Sequence, residues 1–401
     1  MKLALLIDDY LPDSTRVGAK MFHELAQQLM REGHYVTVIT PGFNQKEKLL
    51  MECYEGVTVW RYKSSPIKDV GKIKRAINES RLSYSAWSSI KGKVYSDSFD
   101  GVIYYSPSIF LGELVKRIKN ICLCPSYLIL RDLFPRWVID AGMIREGSLI
   151  EKYFRLFERH SYNQANFIGL MSERNIEVFR QDYNHYNCHV LRNWASLIPV
   201  INYPDGYVSI RERLRLKDKV IFFYGGNIGH AQDMANLVRL ARRMMIYPKA
   251  HFLFVGQGDE VELILKLSQE WKLNNFTYIP SISQEEFKLI LSEVDVGLFS
   301  LSSAHTAHNF PGKLLGYMVE ALPILGSVNS GNDLKELVNE FKAGHVHVNG
   351  ENELLFESAK KLYQCNQYRN KLGSNARNLL EKEFAVSSIA KDIINSLNKK
   401  S

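Results

Sequence analysis

Short runs of consecutive apolar residues alternate along this chain with longer segments in which apolar residues recur every three or four positions. The first run, Leu3 to Ile7, predicts a buried β-strand, and the pattern from Val17 to Glu32 predicts a helix that Gly33 ends. The run Tyr35 to Thr40 predicts a second strand, stopped by Pro41-Gly42. Because strands alternate with helices in this way, we expect an α/β protein with a doubly wound parallel sheet.

The same patterns continue through two successive α/β units. In the first half, further strands are predicted at 57–62, 101–105, 121–124 and 188–193, with amphipathic helices at 149–162 and 173–181. In the second half, strands are predicted at 220–224, 251–255, 276–279, 294–301 and 323–326, with helices at 232–245, 375–382 and 387–397. This order of elements predicts two doubly wound domains that face each other across a cleft.

The length of 401 residues is too great for one typical core and suits two domains of about 200 residues each. The stretch 196–207, with two prolines and a glycine, is typical of an interdomain connection. We expect a first domain at 1–196, a linker at 197–218, a second domain at 219–380, and a C-terminal helix within 381–401 that packs back toward the first domain.

The composition, 46% hydrophobic and 23% charged residues, is that of a globular protein, and no apolar run reaches the roughly 18 to 20 residues of a membrane span. Leu3 to Ile7 runs into two aspartates without a cleavage site, so we interpret it as a strand and not as a signal peptide. Five cysteines fit reduced thiols in a cytosolic protein, and Cys122 and Cys124 alternate like strand residues. The chain contains neither a CxxC pair nor an HExxH motif, so we expect no metal site.

The net charge of +8 is unevenly placed. Between Lys63 and Lys93, eight basic residues are opposed by two acidic ones, which gives the segment a charge of +6, and Tyr62, Tyr84 and Trp87 are interleaved. Such a segment can lie on an anionic membrane surface, bind a nucleic acid, or form an ordinary solvated helix pair. Because no nucleic-acid motif occurs elsewhere, we favour the membrane surface among the functional interpretations and expect no nucleic-acid partner.

The most informative segment is Asn309 to Met318, which lies between the predicted strands 294–301 and 323–326. Its Pro-Gly pair predicts the start of a short helix with Lys313 in the first turn. Lysine is disfavoured there because a helix N-terminus carries partial positive charge. An anion such as a phosphate, held by the lysine and the backbone N–H groups together, would explain it, and the alternative is a solvated lysine on an ordinary helix.

Two other segments share this position at the carboxyl end of a predicted strand, where ligands bind in such sheets. The first, Asp9 to Gly18, contains Arg16 and Gly18, and the second is Gly225-Gly226-Asn227-Ile228-Gly229. The glycine segment lacks GxGxxG and a strand-end acid about 20 residues on, which argues against an NAD enzyme. The chain has no Asp-x-Asp, which argues against a carboxylate-held metal in a sugar-nucleotide site.

Six segments along the chain carry a further signal: Ala19 to Ala26 with Arg31 to Pro41, Arg131 to Pro135 with Ala141-Gly142, Arg192 to Trp194, Gly225 to Gln232, Phe254 to Gly258, and Phe310 to Met318. In this order and spacing they resemble the retaining glycosyltransferases of family 4, which have the two-domain GT-B fold. The resemblance covers nearly the entire chain. The nearest branch is that of the surface-polysaccharide transferases, which add N-acetyl-L-fucosamine or a related 6-deoxy-HexNAc to a growing O-antigen or capsule unit.

The resemblance implies a UDP-sugar donor held mostly by the second domain, with no cofactor and no metal. Lys313 and the Gly225 segment would neutralise the diphosphate, Gly256 and Gly258 would border the base, and Arg16 with Gly18 would close over the phosphates or sugar. The full set of donor-binding residues that it implies is Arg16, Gly18, Gly225, Gly226, Asn227, Gly256, Gly258, Lys313, Leu314 and Tyr317.

The catalytic residues implied are Asp132, Lys313 and His308, with Asp132 facing the acceptor hydroxyl. For Asp132, a helix cap or a partner of Arg131 or Arg136 is the alternative. No protein nucleophile is required, because the leaving phosphate can accept the acceptor proton on the same face, and catalysis consists mainly of positioning and charge stabilisation.

The implied acceptor is a polyprenyl-diphosphate-linked saccharide. This acceptor places the protein in the cytoplasm, peripherally on the inner face of the cytoplasmic membrane, through the basic segment Lys63 to Lys93. A second candidate membrane contact is Phe134 to Ile139, for which core packing is the alternative.

The chain departs from the family pattern at several positions. Of two glutamates usual around the lysine, the first would fall at His308 and the second, which accepts hydrogen bonds from the ribose, at Gly316. Asn227 and His230 stand where the family usually has an arginine and a lysine. Glu320 could replace the second acid in part or be a surface residue; His305 and His308 either contact the donor sugar or are loop histidines without a role.

Two other functions stay open. A UDP-HexNAc 2-epimerase on the same fold would need carboxylates or histidines as acid and base, for which Asp8, Asp9, Asp132, His305 and His308 are candidates, but the motif order favours the transferase. A non-catalytic partner subunit of a transferase, one that has lost both glutamates, is the third. The donor sugar, the acceptor and the linkage are not determined by the residues.

Overall fold

The structure is a computed structural model that describes residues 1–14, 16–43, 45–67, 70–106, 108–140, 142–199, 203–303 and 310–399. The chain divides into two compact units: Met1–Trp194 with Val386–Ser401, and Ala195–Ala385. Residues 197–218, for which the sequence predicts a linker, belong to the second unit, and the C-terminal segment belongs to the first.

The strands of the first unit, as far as the structure describes it, are β1 (Lys2–Leu6), β2 (Tyr35–Phe43), β3 (Leu49–Tyr54), β4 (Val57–Ser64), β5 (Gly101–Ser106), β6 (Ser126–Leu130), β7 (Phe167–Leu170) and β8 (Cys188–Val190). They form one sheet in the order β3-β4-β2-β1-β5-β6-β7-β8. The β3–β4 pair is antiparallel and the others are parallel. The hairpin between β3 and β4 turns at Glu55-Gly56. Their φ angles of 47° and 86° are both positive, as the two central positions of a type I′ turn require.

Helices cover both faces of this sheet. Leu3 and Leu5 of β1 pack into one core and Ala4 and Leu6 into another, all without solvent exposure. This burial on both faces explains why the strand is a continuous apolar run. The helices are α1 (Val17–Arg31), α2 (Lys72–Ser80), α3 (Leu82–Ile90), α4 (Gly112–Cys122), α5 (Arg136–Asp140), α6 (Leu149–Tyr162) and α7 (Glu173–Asp182).

The second unit contains a parallel sheet, described throughout, in the order β11-β10-β9-β12-β13-β14. Its strands are β9 (Val220–Asn227), β10 (Ala250–Gln257), β11 (Phe276–Ile279), β12 (Val296–Ser300), β13 (Ile324–Val328) and β14 (Gly344–Val348). Its helices are α8 (Ile210–Arg213), α9 (Met234–Arg243), α10 (Val261–Glu270), α11 (Gln284–Leu291), α12 (Lys313–Val319), α13 (Leu334–Glu340), α14 (Asn352–Gln364) and α15 (Asn366–Leu379).

The last helix, α16 (Val386–Asn398), is part of the first unit. Its buried residues Ile389, Ala390 and Ile393 lie in the same core as Leu25 and Leu29 of α1. Two doubly wound α/β units with mainly parallel sheets therefore confirm the predicted fold class.

The predicted strand at 121–124 is wrong. Helix α4 runs to Cys122 and ends at Leu123, whose φ of 51° is left-handed, and the strand is β6, five residues further on than predicted. The apolar residues Leu114, Val115, Ile118 and Cys122 are buried at helical spacing, so Cys122 continues the helix period and does not begin a strand.

The sequence also placed the end of β2 too early and missed three strands, β3, β7 and β14. Strand β2 runs through Pro41-Gly42 to Phe43. Its pairing with β1 ends at Ile39, whereas its pairing with β4 continues to Phe43. A proline is tolerated here because the strand has only one neighbour at that level.

Candidate functional site

Lys313 is the first residue of α12, as predicted from the sequence. Its Nζ is buried and lies 3.5 Å from the centroid of the Tyr224 ring, at the carboxyl end of β9. Among the described residues this nitrogen has no hydrogen-bond partner. Burial therefore lowers the pKa of Lys313 well below its usual value of 10.5. The ring quadrupole is the one attractive contact that the described residues give this cation.

The glycine pair Gly225-Gly226 brings backbone next to this lysine. A β-carbon on Gly226 would lie 3.9 Å from the Lys313 Nζ, and Gly226 has a φ of 109°, which side chains rarely adopt. Gly225 is constrained by packing instead, because a β-carbon there would lie 2.5 Å from the ring of Phe287. Gly226 therefore leaves open backbone beside an unpartnered buried cation.

Tyr317 of α12 is hydrogen-bonded to strands β9 and β12. Its hydroxyl accepts a hydrogen bond from the Gly225 N–H at 3.2 Å and donates one to the Leu298 carbonyl oxygen at 3.0 Å. Tyr317 and Leu314 have no solvent exposure. Both were predicted to bind the donor, and the structure places both side chains in the core that supports Lys313.

Gly256 and Gly258 allow the end of β10 to approach its neighbour closely. A β-carbon on Gly256 would overlap the carbonyl oxygen of Gly226, its partner in the register of β9 and β10, and one on Gly258 would overlap that of Ile228. Both glycines thus hold the two strand ends together beside Lys313. Their predicted place next to a nucleotide base stays a prediction.

Asn227 and His230, which stand where the resembled family has basic residues, lie in a loop bounded by carboxylates. The Asn227 amide donates to Gln232 at 2.9 Å, and the side chain of His230 is 91% exposed with Nδ1 3.3 Å from Glu260 Oε1. Asp259 Oδ1 accepts from the His230 N–H at 3.2 Å. The two acids were not singled out from the sequence, although both follow Gly258 directly.

The positions of the two missing glutamates differ in what the structure describes. His308, like His305, lies outside the described residues. Gly316 faces Leu291, whose methyl carbon is 3.2 Å from where a β-carbon would stand. Glu320 is the C-terminal cap of α12, at the opposite end of the seven-residue helix from Lys313, and is half-buried. Glu320 lies one helical turn after Gly316, and its partial replacement of the second acid stays a prediction.

In the first unit, the segment from Asp9 to Gly18 leads into α1. Arg16 is the N-cap residue, with 56% of its side chain exposed and its Nε 3.8 Å from Asp9 Oδ2. Ser14 donates to Asp9 at 2.6 Å and accepts from the Arg16 N–H at 3.1 Å, so the segment is held by its own side chains. A β-carbon on Gly18 would lie 3.3 Å from the Tyr105 hydroxyl at the end of β5.

Asp132 follows β6 and is half-buried, and its backbone carbonyl accepts a hydrogen bond from Ser106 at 3.3 Å. Two arginines, Arg131 and Arg136, were predicted as alternative partners of Asp132. Of these, Arg136 donates a hydrogen bond to Asp182 at 2.8 Å. The loop that contains Asp132 adjoins the ends of β5 and β6, which fits a ligand-facing position in a parallel sheet.

Arg131, next to Asp132, is a second buried cation. Its Nη2 donates to the Arg192 carbonyl oxygen at 2.9 Å, and its guanidinium lies 5.5 Å from the centroid of the Trp194 ring. Its Nε and Nη1 have no partner among the described residues. Burial lowers the pKa of Arg131 to about 10. Trp194 in turn donates to the Met21 carbonyl oxygen of α1 at 2.7 Å, so three segments that are distant in the sequence meet here.

The basic segment Lys63 to Lys93 contains mostly exposed cations: those described are Lys63, Lys74, Arg75, Arg81, Lys91 and Lys93. Lys68 and Asp69 lie outside the described residues. Of the three interleaved aromatic residues only Tyr84 is well exposed, at 73%; Tyr62 is fully buried and Trp87 half-buried. The segment is thus a basic surface, but two of its aromatic residues serve the core.

In the second predicted membrane contact, Phe134 to Ile139, the side chains of Phe134 and Val138 are packed, and the side chain of Trp137 lies outside the part that the structure describes. Phe134 lies against the ring of Phe154, with centroids 4.9 Å apart, and Val138 is only 6% exposed. Within the described ranges, no helix is long and apolar enough to cross a membrane. The same ranges contain no cluster of three or more His, Cys, Asp or Glu side chains arranged to hold a metal ion.

Residues 209–379 match the family model described as Glycosyl transferases group 1. These residues include β9, the glycine pair and α12, so the candidate site in the second unit lies inside the matched region. This match and the two parallel-sheet units define the protein as a glycosyltransferase with the GT-B fold.

Three known proteins are similar over almost the whole chain. WcaI of Escherichia coli (strain K12), named for a glycosyl transferase of colanic acid biosynthesis, is 22% identical over 410 residues, 98% of this chain and 100% of WcaI. Alr3699/HepE of Anabaena, solved with UDP-glucose, superposes with a TM-score of 0.67 at 14% identity and covers 100% of both chains. WaaG, a glycosyltransferase involved in lipopolysaccharide biosynthesis, superposes with a TM-score of 0.64 at 13% identity over 99% and 100% of the chains.

Proposed function

We propose that this protein is a retaining glycosyltransferase of family 4 that takes its sugar from a UDP-sugar without a bound metal ion. The observation that carries the proposal is the Lys313 Nζ, buried and without a hydrogen-bond partner among the described residues, beside the open backbone of Gly226. A buried cation is costly unless an anion neutralises it. A diphosphate would satisfy the lysine and accept hydrogen bonds from glycine N–H groups.

The identity of the donor nucleotide is supported by Alr3699/HepE, a protein of similar fold that was solved with UDP-glucose. In this chain Gly256 and Gly258 allow the ends of β9 and β10 to approach each other closely next to Gly226. We assign the nucleotide base to this edge of the sheet. Arg16 and Gly18 of the first unit are proposed to contact the phosphates or the sugar.

In the proposed reaction, the bond between the sugar C1 and the β-phosphate oxygen breaks, and the acceptor hydroxyl oxygen bonds to C1 on the same face. The acceptor proton passes to the departing phosphate oxygen, so UDP leaves and no protein nucleophile is consumed. Negative charge grows on the diphosphate as it leaves, and Lys313 stabilises that charge. The rest of the rate enhancement comes from positioning of the two substrates.

Asp132 is the residue that we assign to the acceptor hydroxyl, because it follows β6 at the sheet edge where ligands bind. His308 is the third proposed catalytic residue, and it lies outside the described residues. Asn227, Leu314 and Tyr317 complete the proposed donor site, the last two as buried supports of Lys313.

The proposed sugar is a 6-deoxy-HexNAc, with N-acetyl-L-fucosamine as the leading candidate, and the proposed acceptor is a polyprenyl-diphosphate-linked saccharide. The pathway is supported by WcaI, named for colanic acid biosynthesis, and by WaaG, involved in lipopolysaccharide biosynthesis. We therefore place the protein in surface-polysaccharide synthesis, in the cytoplasm, with the basic segment Lys63 to Lys93 against the inner face of the membrane.

Calorimetric titration of the purified protein with UDP tests the donor site, with GDP and dTDP as competitors and EDTA as the control for metal. Selective binding of UDP that EDTA leaves unchanged is expected. Absence of binding of any nucleotide would contradict the proposal. Activity is then measured with a lipid-linked acceptor: conversion of the UDP-sugar without any acceptor would point instead to an epimerase.

A further inference from the structure

Helix α6 presents an apolar surface to solvent. Leu149, Tyr153 and Leu156 recur at intervals of four and three residues, so they lie on one face of the helix. Leu149 is 83% exposed, Leu156 66% and Tyr153 40%, and Ile150 beside them is 59% exposed. Single exposed apolar residues are normal, but four on two turns of one helix form a continuous patch.

The opposite side of α6 explains why this patch is not merely a loosely packed core face. Phe154 and Phe157 already fill the contact with Phe110, with ring centroids 6.4 Å and 4.9 Å from it. Glu158, also on the inward side, is 1% exposed and accepts hydrogen bonds from Tyr183 at 2.6 Å and from Arg155 at 3.0 Å. The apolar arc of α6 is therefore wider than the core that it covers, and Leu149, Ile150 and Leu156 on its outer side stay more than half exposed.

The patch adjoins the basic segment. The hydroxyls of Tyr153 and Ser80 are hydrogen-bonded, which places the middle of α6 beside the end of α2. Ile77, three residues before Ser80, is 52% exposed, and Tyr84, four residues after it, is 73% exposed. Two further exposed apolar side chains therefore lie within four residues of Ser80, the residue that bonds Tyr153.

Basic side chains surround this surface. Those described as exposed are Lys74, Arg75, Arg81, Lys152 and Arg159. Three neighbouring carboxylates are engaged within the chain: Glu79 with Arg75 at 2.8 Å, Glu151 with Arg155 at 3.5 Å, and Glu113 with His160 at 3.2 Å. Glu146, three residues before Leu149, is an exposed carboxylate. Apolar residues within a basic rim are the composition of helices that lie in an anionic membrane interface.

We propose that the outer face of α6, formed by Leu149, Ile150, Tyr153 and Leu156, inserts into the surface of an anionic lipid bilayer, flanked by the basic residues of α2 and α6. The inference rests on the proposed lipid-linked acceptor and deepens it by naming the inserting element. It also assigns the apolar part of the contact to α6 and not to Phe134 and Val138, which are packed.

A second copy of the chain is the other possible occupant, and the charges argue against it. A two-fold contact through α6 would bring the same face of both copies together. It would enclose Lys152 and Arg159 of both copies, while Glu151 and Glu79 are already paired within each chain. Phosphate groups of anionic lipids supply the missing charge.

Co-sedimentation of the full-length protein with phosphatidylcholine vesicles containing phosphatidylglycerol tests the inference. The double variant Leu149→Ser/Leu156→Ser is expected to lower partitioning on the order of tenfold or more, because interfacial binding scales with the apolar area buried. Lys152→Ser/Arg159→Ser is expected to weaken binding to these vesicles and to leave the weak binding to pure phosphatidylcholine unchanged.

The matched control is Ile246→Ser/Leu354→Ser, which removes two exposed apolar residues, 71% and 52% exposed, from the second unit. It should bind vesicles like the wild type. Equal binding by the α6 variant and the wild type would overturn the inference, as would a failure of the wild type to bind. A dimer in sedimentation velocity without lipid that the α6 variant abolishes would overturn it in favour of a second copy.

Titration with UDP on the same samples separates this inference from the proposed function. A wild type that binds UDP but not the vesicles refutes membrane insertion and leaves the donor site standing. A wild type that binds vesicles through α6 but no nucleotide upholds the surface and refutes the donor site. All variants should keep the UDP affinity of the wild type, because α6 belongs to the first unit and Lys313 to the second.

Discussion

The two units each contain a buried cation beside an aromatic ring at the end of a central strand, and the two cations differ in what holds them. Arg131 lies against Trp194 and donates a hydrogen bond to the Arg192 carbonyl oxygen. Lys313 lies against Tyr224 and has no hydrogen-bond partner among the described residues. The sequence pointed to Lys313 by its place in a helix and passed over Arg131, although both are equally withdrawn from water.

The difference teaches that burial of a cation on a ring does not by itself identify a binding site. Arg131 keeps a pKa of about 10, so it stays charged at neutral pH, and its hydrogen bond ties two loops together. The pKa of Lys313 is lowered well below 10.5 and nothing described compensates the charge. We interpret Arg131 as a cation that stabilises the fold and Lys313 as a cation that binds an anionic ligand.

The largest expected effect comes from Lys313→Met, which replaces the cation by an apolar chain of similar length. UDP affinity should fall by about 1–3 kcal/mol, the value of a charge-assisted hydrogen bond. The free energy of unfolding should be unchanged or higher, because an uncompensated buried charge is removed. Calorimetry and urea unfolding measure the two quantities. Unchanged UDP affinity would end the assignment of Lys313 to the diphosphate.

Arg131→Met should give the reverse pattern. The Arg192 carbonyl oxygen loses its donor, so the free energy of unfolding is expected to fall by about 2 kcal/mol while UDP affinity stays unchanged. The matched control is Arg136→Met, which removes a half-exposed arginine paired with Asp182 and should cost less than about 1 kcal/mol. If Arg131→Met weakened UDP binding without loss of stability, the two cations would share one role.

The pH dependence separates the two cations further. Because an anion raises the pKa of Lys313, UDP binding should take up a proton at pH values above the pKa of the free lysine. In that range affinity should fall with rising pH, by at most about 1.4 kcal/mol per pH unit. The unliganded protein should behave oppositely. Lys313 binds its proton more weakly when folded than when unfolded, so its contribution to stability increases as pH rises toward 10.5.

Calorimetry in buffers of different ionisation enthalpy measures the proton uptake directly. Lys313→Met should abolish it, whereas Arg131→Met should leave it intact, because the pKa of Arg131 lies far above the pH range of the titration. Proton uptake that persists in Lys313→Met would mean that a group other than Lys313 takes up the proton on binding.

The smallest effect concerns Gly18, at the start of α1 in the first unit. Gly18→Ala gains helix propensity of about 1 kcal/mol but presses on the Tyr105 hydroxyl, 3.3 Å from the new carbon. The full gain in the free energy of unfolding is expected only in a Tyr105→Phe background. If alanine instead weakens UDP binding in both backgrounds, Gly18 serves a ligand and not the packing of Tyr105.

The sequence predicted the parts of the fold that are set by local patterns. The bounds of α6 and the start of α12 at Lys313 follow from apolar period and a Pro-Gly pair, and both are confirmed. The prediction of a strand at 121–124 was wrong because two apolar cysteines at alternate positions fit both the end of a helix and a strand. Strand β3 was missed because its residues alternate weakly on an exposed edge.

The candidate site was predictable only where a residue and its partner are close in sequence. Gly225-Gly226 follow Tyr224 directly, so a glycine turn at the end of β9 was visible, but the ring beneath Lys313 was not, since 89 residues separate them. The contact between Arg131 and Trp194 depends on the order of β6, β7 and β8 in the sheet. Likewise, periodicity showed that α6 is amphipathic and could not show how much of its apolar arc the core would leave uncovered.

The return of α16 to the first unit has a consequence for how the protein is made. Its residues Ile389, Ala390 and Ile393 share a core with α1 and β1, which leave the ribosome more than 350 residues earlier. During synthesis, Leu25, Leu29 and their neighbours stay open on that side while the whole second unit is translated. The second unit is contiguous in the sequence, so all of its residues are synthesised before α16, whereas the core of the first unit is complete only once α16 has been made.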